Sequence, residues 1–367
     1  MFERMNGGSP KHGKMTLQSL AEELGVSKTT VSNAYNRPDQ ISPELRAKVL
    51  AKAHELGYSG PHPAARMLRK GKTDTIGILM PEALTFQFVD PASTKLLEGV
   101  AAAVGPEGMS MLLVPGIGMR DLPVALVQDA AVDGFILYSL PEGEALTAAA
   151  LARNLPTVFV EVMAPADAYS VEIEDETGAA LAANHLAELG HKSIAIMCFR
   201  VAPDNYVGPA DLERQSQVRY PVTRRRFAGY RKGLEAHGIE WPEVAVWETV
   251  DPGGDVTIEI GHRTGRMILE TRPRPTAVLA MSDLLAFGLM KAARDMNIAV
   301  PEDLSIVGYD DVEMAGVEGL TTVRQPLYEK GLWAGRMLLD LIAGNEPEPR
   351  RRVLPTNLVV RTTTSTP

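Results

Sequence analysis

Residues 16–36 read TLQSLAEELGVSKTTVSNAYN, and this stretch decides the fold of the N-terminal part of the chain. Its first half predicts one buried helix face, because apolar side chains recur at helical spacing at Leu17, Leu20, Ala21 and Leu24. Thr16 is a candidate N-cap, and Gly25 is typical of a helix C-terminus. Ser27 predicts a second N-cap, which opens a helix through about Asn36.

The second helix is rich in small polar side chains. Lys28, Thr29, Thr30, Ser32 and Asn33 suit base edges and phosphate oxygens at close range. Two short helices joined by a tight glycine turn are the signature of a DNA-binding helix-turn-helix. The alternative is a generic helical hairpin, which more often carries Glu and Lys on the exposed face of its second helix.

The charge distribution agrees with a DNA-binding end. Residues 1–72 hold 12 Lys and Arg against 6 Asp and Glu, whereas the remaining residues hold 25 against 40. A basic end on an acidic body indicates that only the end meets a polyanion. Charge alone leaves open a solvated basic tail.

A third helix follows the pair. Ser42 is a candidate cap, Pro43 suits the first helical turn, and an apolar stripe comprises Leu45, Val49, Ala53 and Leu56. Glycines and prolines then interrupt the pattern, and residues 63–69 could form one or two helical turns that are too short to be stable alone.

Residues 16–36, the ELGY at 55–58 and the PHPAARML at 61–68 together resemble the headpiece of the LacI/GalR family of bacterial repressors. The resemblance implies that Lys28, Thr29 and Asn33 vary with operator sequence and that Thr30 and Ser32 hold phosphates. It also implies that Asn36 and Tyr58 help dock the headpiece, and that Leu68 wedges into the minor groove and kinks the operator. For Leu68 the alternative is packing against the body. The predicted DNA-contacting residues are Thr16, Ser27, Lys28, Thr29, Thr30, Ser32, Asn33, Asn36, Tyr58, Ala65 and Leu68.

From residue 75 the chain alternates short apolar runs with helix-length amphipathic stretches. The runs lie at 75–80, 111–114, 134–138, 157–161, 193–197, 244–247, 276–281, 305–309 and 358–360. This rhythm is typical of βαβ units and parallel sheets. The runs are too many for one small doubly wound unit, so we expect two such subdomains with a ligand cleft between them.

The stretches at 185–197, 225–239, 274–311 and 320–326 resemble the same family, so the resemblance covers residues 15 to about 362. It implies an all-α helix-turn-helix headpiece and an α/β periplasmic-binding-protein-like body of two doubly wound subdomains joined by three crossovers. The expected domains are a flexible leader at 1–14, the headpiece at 15–60, a hinge helix and linker at 61–74, an effector-binding and dimerisation domain at 75–362, and a tail at 363–367. We assign 75–173 and 304–326 to the N-subdomain, and 174–303 and 327–362 to the C-subdomain.

The candidate effector contacts follow predicted strands or match family positions. Arg226 precedes AGY, and Asp283 opens the helix after AVLAM. A carboxylate there can accept two hydroxyl hydrogen bonds, but Asp283 could equally be part of the helix cap after Ser282, and Arg226 could form an internal salt bridge. The full set is Tyr138, Glu161, Asp175, Arg224, Arg226 and Asp283.

Two loops stand beside the predicted cleft. Residues 200–222 form a long polar loop, and loops of this length are often lids or disordered. Residues 86–90 follow the first strand, where the family's first effector contacts usually arise.

The sequence lacks a phosphate-binding Walker loop, a zinc-spaced Cys/His cluster and a GxSxG elbow, so we expect neither an enzyme nor a metal or other cofactor. No apolar run reaches the length of a membrane span, the first residues lack a signal-peptide core, and the single Cys198 suits a reducing cytoplasm.

We therefore predict a cytoplasmic homodimer, with a tetramer possible, that binds operator double-stranded DNA. The resemblance makes repression the commoner role and leaves the effector, a sugar or a nucleoside, unnamed. The main alternative is a solute-binding protein without a DNA role, and a sugar-processing enzyme is a second.

Overall fold

The computed structural model describes residues 15–60, 71–116, 123–204, 206–249 and 256–367. The chain divides into two compact units, residues 1–73 and 74–367. The boundary between the units falls within the predicted hinge and linker at 61–74. Most of the predicted hinge, with Ala65 and Leu68, lies outside the described residues, as does the leader.

The first unit contains the three predicted helices, α1 (Leu17–Leu24), α2 (Lys28–Asn36) and α3 (Pro43–Glu55). A 3-10 turn, Pro38–Gln40, precedes α3. Gly25 ends α1 with a φ of 64°, a left-handed conformation that glycine adopts without steric cost. The helices enclose a small core of Leu20, Ala21, Val31, Ala34, Val49, Ala53 and Tyr58.

The second unit contains two sheets flanked by helices. Its strands are β1 (Thr75–Met80), β2 (Ser110–Pro115), β3 (Gly134–Tyr138), β4 (Thr157–Val160), β5 (Tyr169–Ile173), β6 (Ile194–Cys198), β7 (Gly208–Pro209), β8 (Ala245–Glu248), β9 (Ala277–Ala280), β10 (Ser305–Asp310), β11 (Thr321–Arg324), β12 (Arg351–Leu354) and β13 (Asn357–Val359). Its helices are α4 (Leu84–Gln87), α5 (Pro91–Val104), α6 (Pro123–Asp129), α7 (Ala145–Ala152), α8 (Asp175–Glu188), α9 (Leu212–Ser216), α10 (Pro221–Glu235), α11 (Ile258–Leu269), α12 (Asp283–Asp295), α13 (Glu313–Val317) and α14 (Leu327–Ile342). A second 3-10 turn is Trp241–Glu243.

The six strands of one sheet run β12-β5-β4-β3-β1-β2 and are all parallel. The other sheet runs β13-β11-β10-β9-β6-β8-β7, in which β7 and β13 are antiparallel edge strands. The strand order reverses between β1 and β3 in one sheet and between β6 and β9 in the other. Such switch points open crevices at the carboxyl ends of the strands, where ligands of open α/β sheets bind.

The sheets define two lobes that differ from the predicted subdomains. Residues 304–326 were assigned to the N-subdomain, but β10 pairs with β9 and therefore belongs to the second lobe. Residues 327–354 were assigned to the C-subdomain, but β12 pairs with β5, and α14 packs on α5 in the first lobe. The first lobe is thus 75–173 with 327–354, and the second is 174–324 with residues from 357 onward. The predicted subdomain bounds at 304–326 and 327–354 were therefore wrong. The alternation of strands and helices in the sequence does not show which sheet a strand joins.

The predicted tail also proves to be part of the second lobe. Thr363 is buried, and its hydroxyl donates to the carbonyl oxygen of Ile306 at 2.7 Å. The Ser365 N–H donates to Ser305 Oγ at 3.0 Å. Residues 363–365 therefore bind along β10.

Glycine allows the closest helix packing in the first lobe. A Cβ atom on Gly331 of α14 would lie 2.0 Å from the Leu96 carbonyl oxygen of α5, and one on Gly99 would lie 2.0 Å from the Tyr328 carbonyl oxygen. Both contacts involve backbone atoms, which cannot rotate away. Glycine at these two positions therefore fixes the separation of α5 and α14.

We expect Gly331→Ala to destabilise the body by about 1–3 kcal/mol, because the added methyl group forces α5 and α14 apart. Helix propensity alone would favour alanine by about 1 kcal/mol. The matched control is Gly316→Ala in α13, an exposed position where a Cβ meets nothing within 4 Å. Urea unfolding of both variants measures the difference; equal stabilities would contradict the packing argument.

Candidate functional site

The N-terminus of α2 presents the polar side chains predicted to meet DNA. Ser27 caps the helix, since its Oγ accepts the Thr30 N–H at 3.0 Å and lies 2.8 Å from the Thr30 hydroxyl. Lys28 and Thr29 are exposed. The cap thus holds an exposed first turn, and Thr30 already has one hydrogen-bonding partner within the protein.

Among the described residues, five further predicted DNA contacts lie on α2, at the start of α1 or after α3. Ser32, Asn33 and Asn36 are half-buried, and Asn36 Nδ2 donates to the Ser32 carbonyl oxygen at 2.9 Å. Thr16 is exposed and caps α1 in a reciprocal arrangement with Ser19. Tyr58 is buried and packs edge-on against Tyr35, with ring centroids 6.0 Å apart. Thr16 and Tyr58 therefore both have structural partners, while their contacts with DNA stay predictions.

A cavity in the body lies between the carboxyl ends of the strands of both sheets. It encloses about 850 Å³, a volume that includes open solvent. Its lining combines aromatic, acidic, basic and neutral polar side chains: Pro81, Glu82, Phe86, Asp90, Ala92, Ser93, Tyr138, Ser139, Glu161, Phe199, Arg200, Tyr220, Val222, Thr223, Arg226, Thr249, Val256, Ser282, Asp310 and Gln325. Strands β1, β3, β4, β6, β8, β9, β10 and β11 each end beside it.

The structure brings three of the six predicted effector residues to this cavity. Tyr138 and Glu161 line it from the first lobe, and Arg226 lines it from the second. Arg226 is also buried, donating from Nε to Asp175 Oδ1 at 3.0 Å and from Nη1 to the Met281 carbonyl oxygen. Arg226 therefore forms the internal ion pair and also faces the cavity, while its contact with an effector stays a prediction.

Asp283 does not line the cavity, and its two carboxylate oxygens have partners inside the second lobe. The Thr322 hydroxyl donates to Oδ1 at 2.6 Å, and the Val312 N–H donates to Oδ2 at 2.9 Å. Ser282 supplies the cap of α12, because its Oγ accepts the Leu285 N–H. Burial raises the pKa of Asp283 to about 7. This placement favours a structural role over the expected effector contact.

Arg224 and Asp175 also lie outside the cavity lining. Asp175 is the buried partner of Arg226. Arg224 instead joins the lobes, because both its terminal nitrogens donate to the Glu142 carboxylate, with Nη2 and Oε2 2.9 Å apart. The Glu142 N–H donates to the Arg219 carbonyl oxygen at 2.9 Å. The hydrogen bond from Arg224 lowers the pKa of Glu142, so this bridge carries full charge at neutral pH.

Sequence reasoning missed a buried polar network beside Glu161. Lys330 Nζ donates to Glu161 Oε1 and to Gln325 Oε1, both at 2.7 Å, and Gln325 Nε2 donates to Asp310 Oδ1 at 2.5 Å. Asp310 ends β10, and Gln325 directly follows β11. A search for polar residues at the carboxyl ends of strands, which selected Glu161, would therefore also have found these two residues. Lys330 follows no strand and is preceded by an acidic residue on α14, so no simple pattern predicts its burial.

The loops predicted beside the cleft do contribute to it. Phe86 of α4 and Asp90 line the cavity from the first predicted loop, and Arg200, Tyr220 and Val222 line it from the second, where Val222 already belongs to α10. The long loop contains β7 and α9, and Arg214 anchors it. The Arg214 guanidinium donates to Asp204 at 2.6 and 2.7 Å and to the buried Glu248 at 2.7 and 2.9 Å. The described part of this loop is therefore held by ion pairs.

Two further site types find no support in the part of the chain that the structure describes. No group of three or more His, Cys, Asp and Glu residues there could hold a metal ion. Among the same residues, no helix has the length and apolar character needed to cross a membrane.

Comparison with known proteins identifies both units. Residues 16–60 match the family described as "Bacterial regulatory proteins, lacI family", and residues 183–364 match a "Periplasmic binding protein-like domain". The HTH-type transcriptional regulator IpsA of Corynebacterium glutamicum is 38% identical over 337 residues, which cover 91% of this chain and 93% of that protein.

Two solved structures span nearly the whole chain. The regulator CelR in complex with cellobiose is similar with a TM-score of 0.68 and 29% identity, covering 95% of this chain and 99% of CelR. The lac repressor dimer bound to operator and the anti-inducer ONPF has a TM-score of 0.73 and 28% identity, covering 96% of this chain and 100% of that one.

The buried Asp283 carboxyl makes stability depend on pH. An aspartate in the unfolded chain has a pKa of about 3.9. Between about pH 4 and pH 7 the folded protein therefore binds a proton that the unfolded chain has released, and stability falls as pH rises.

We expect Asp283→Asn to weaken this pH dependence and to raise the melting temperature above pH 7. A rotated amide can donate to Thr322 Oγ1 and accept the Val312 N–H, so both contacts survive. Melting temperatures measured across the window test this, with the exposed Asp340→Asn as control. An unchanged slope in Asp283→Asn would rule out a protonated Asp283.

Proposed function

This chain belongs to the lacI family of bacterial regulatory proteins, and we propose that it is a repressor whose binding to its operator is controlled by a neutral polyhydroxylated effector. The observation that carries the DNA role is the exposed first turn of α2, held by the Ser27 cap within a basic N-terminal region. A periplasmic-type solute-binding protein has no use for such a helix, so the alternative function is disfavoured. The relatives of this chain are named as transcriptional regulators or repressors, and these names do not favour an enzyme.

In the proposed complex α2 lies in the major groove. Lys28, Thr29 and Asn33 are the side chains that would meet base edges, since an amide can bond an adenine in two places and an ammonium can bond a guanine. Thr30, Ser32 and Asn36 would bond phosphates, which fix the register of the helix. Two copies would bind a pseudo-palindromic operator, because a two-fold protein matches two-fold DNA.

The cavity supports a sugar or nucleoside as effector. Aromatic rings at Phe86, Tyr138, Phe199 and Tyr220 can cover the apolar face of a sugar ring, while the buried polar groups bond its hydroxyls. Burial raises the pKa of Asp310 well above its usual range, so this carboxyl can donate as well as accept. The Glu82 carboxylate in the lining disfavours a phosphorylated ligand.

Control of DNA binding follows from the position of the cavity between the lobes. A ligand that contacts both lobes favours one lobe arrangement, and the Glu142–Arg224 bridge is one interaction that such a change would alter. Because coupling is reciprocal, a ligand that weakens DNA binding binds more weakly to the DNA-bound protein, and a corepressor shows the opposite sign. We place the protein in the cytoplasm, where its operator lies.

Asn33→Ala tests the DNA role. We expect affinity for the fragment upstream of its own gene to fall roughly 10- to 100-fold, because one bidentate base contact is lost. Affinity for a scrambled fragment should change little. Gel-shift titrations at several salt concentrations measure both, with the exposed Gln40→Ala as control.

Specific binding should weaken steeply as salt rises, since phosphate contacts release counterions. A protein that binds neither fragment in a salt-dependent way is not the regulator proposed here. Equal operator affinities of Asn33→Ala and the unaltered protein would remove Asn33 from the contact set.

Thermal-shift measurements with cellobiose, ribose and adenosine test the effector class, with glucose 6-phosphate as an anionic comparison. We expect at least one neutral compound to raise the melting temperature and to change operator affinity, and the phosphate to do neither. Asp310→Ala should weaken that ligand roughly tenfold or more, because the cavity loses a carboxyl group that can donate and accept hydrogen bonds. Asp167→Ala, at an exposed position, is the control. A thermal shift with glucose 6-phosphate alone would refute a neutral effector.

A further inference from the structure

Lys330 is a fully buried lysine in the middle of α14. Its side chain has no exposed surface, and a lysine is almost never buried in this way without partners. Nζ donates to Glu161 Oε1 and to Gln325 Oε1 at 2.7 Å each, and it lies 5.7 Å from the centroid of the Tyr138 ring. Glu161, Gln325 and Tyr138 all line the effector cavity, whereas Lys330 does not.

The network that begins at Lys330 reaches both lobes. Lys330 and Glu161 belong to the first lobe, Gln325 lies in the connection between lobes, and Asp310 in the second lobe accepts from Gln325. Glu161 and Asp310 both have positive φ angles, 55° and 126°, which non-glycine residues seldom adopt. Such backbone strain persists where the surroundings hold it in place, and it is frequent in binding sites.

The charges around the cavity show what the ammonium contributes. Four carboxyl groups line the cavity, at Glu82, Asp90, Glu161 and Asp310. Of the lining arginines, Arg226 is already paired with Asp175. Burial raises the pKa of Asp90, and the positive charge of Lys330 opposes part of that rise. Without this cation the buried Glu161 carboxylate would lack its ion-pair partner, and the inner end of the cavity would attract a cationic ligand.

We propose that Lys330 is the specificity-determining residue of the effector site, an internal cation that positions Glu161 and Gln325 and makes the cavity select neutral polyhydroxylated ligands over amines. The inference rests on the proposed effector class and adds its electrostatic basis. Lys330 acts through the carboxyl and amide groups that it holds, since it does not line the cavity itself.

Lys330→Met removes the charge and keeps most of the side-chain volume. The titratable and charged groups that surround the site, each from a different element, are Asp90, Tyr138, Glu161, Asp175, Arg226 and Asp310. In the variant the carboxyl groups of this set would lose a nearby cation, so their ionised forms would be less stable in the folded protein. We expect the destabilisation caused by Lys330→Met to grow as pH rises from about 4 to 7.

Ligand charge provides the decisive measurement. Isothermal titration at neutral pH compares glucose with glucosamine and galactose with galactosamine. We expect the unaltered protein to prefer the neutral member of each pair that binds. In Lys330→Met the preference should shift towards the amine by roughly tenfold or more.

If the single variant does not fold, the double variant Lys330→Met/Glu161→Gln tests the Lys330–Glu161 ion pair. It removes both charges, so its stability should depend less on pH than that of Lys330→Met. Its preference for neutral sugars over amines should lie between that of the single variant and that of the unaltered protein. Lys232→Met, an exposed change on α10, is the matched control and should alter neither quantity.

The outcomes separate the two proposals. If the unaltered protein binds a neutral sugar and Lys330→Met keeps the same preference, the role of Lys330 is wrong and the effector class stands. If the unaltered protein prefers the amines, the effector class and the role of Lys330 both fail. A pH-independent destabilisation by Lys330→Met would show that the residue only fills space.

Discussion

The body depends on the neutralisation of buried carboxylates by two buried cations. Removing a carboxylate from water costs several kcal/mol unless a cation and hydrogen bonds compensate. Arg226 on α10 compensates Asp175, and Lys330 on α14 compensates Glu161. Each pair joins elements distant in sequence, and each borders the cavity through one of its members. The polar groups available to a ligand are therefore fixed by the same interactions that hold the elements together.

This arrangement explains how a small ligand could influence the whole body. The cavity lies where both sheets reverse their strand order, so it is lined by residues from both lobes. The close packing at Gly99 and Gly331 leaves no space between α5 and α14, because the helices there touch backbone to backbone. Closely packed lobes would respond to a ligand by moving relative to each other more readily than by deforming. The Glu142–Arg224 bridge and the Gln325–Asp310 bond are the interactions that such a movement would alter.

Local patterns in the sequence predicted the headpiece helices and most strands of the body, because caps and apolar periodicity are local. They failed where pairing is non-local. The short strands β5, β11 and β12 lack a distinctive apolar run, and nothing local shows that α14 returns to the first lobe. The strand-end criterion found Glu161 and Tyr138 but also selected Asp283, whose partners Thr322 and Val312 lie far along the chain. The burial of Lys330 was the least predictable feature, because its ion-pair partner Glu161 lies 169 residues away in the sequence.

The three crossings between lobes affect how the protein is made. The first sheet is completed by β12 and the second by β13, and only the short turn at 355–356 separates these strands. Domains usually fold in order as the ribosome releases them. Here neither lobe has its full sheet until residues beyond 350 have emerged, although the headpiece is complete by residue 60. During synthesis, then, a nascent chain can expose a finished DNA-reading unit before any part of its sensor is whole.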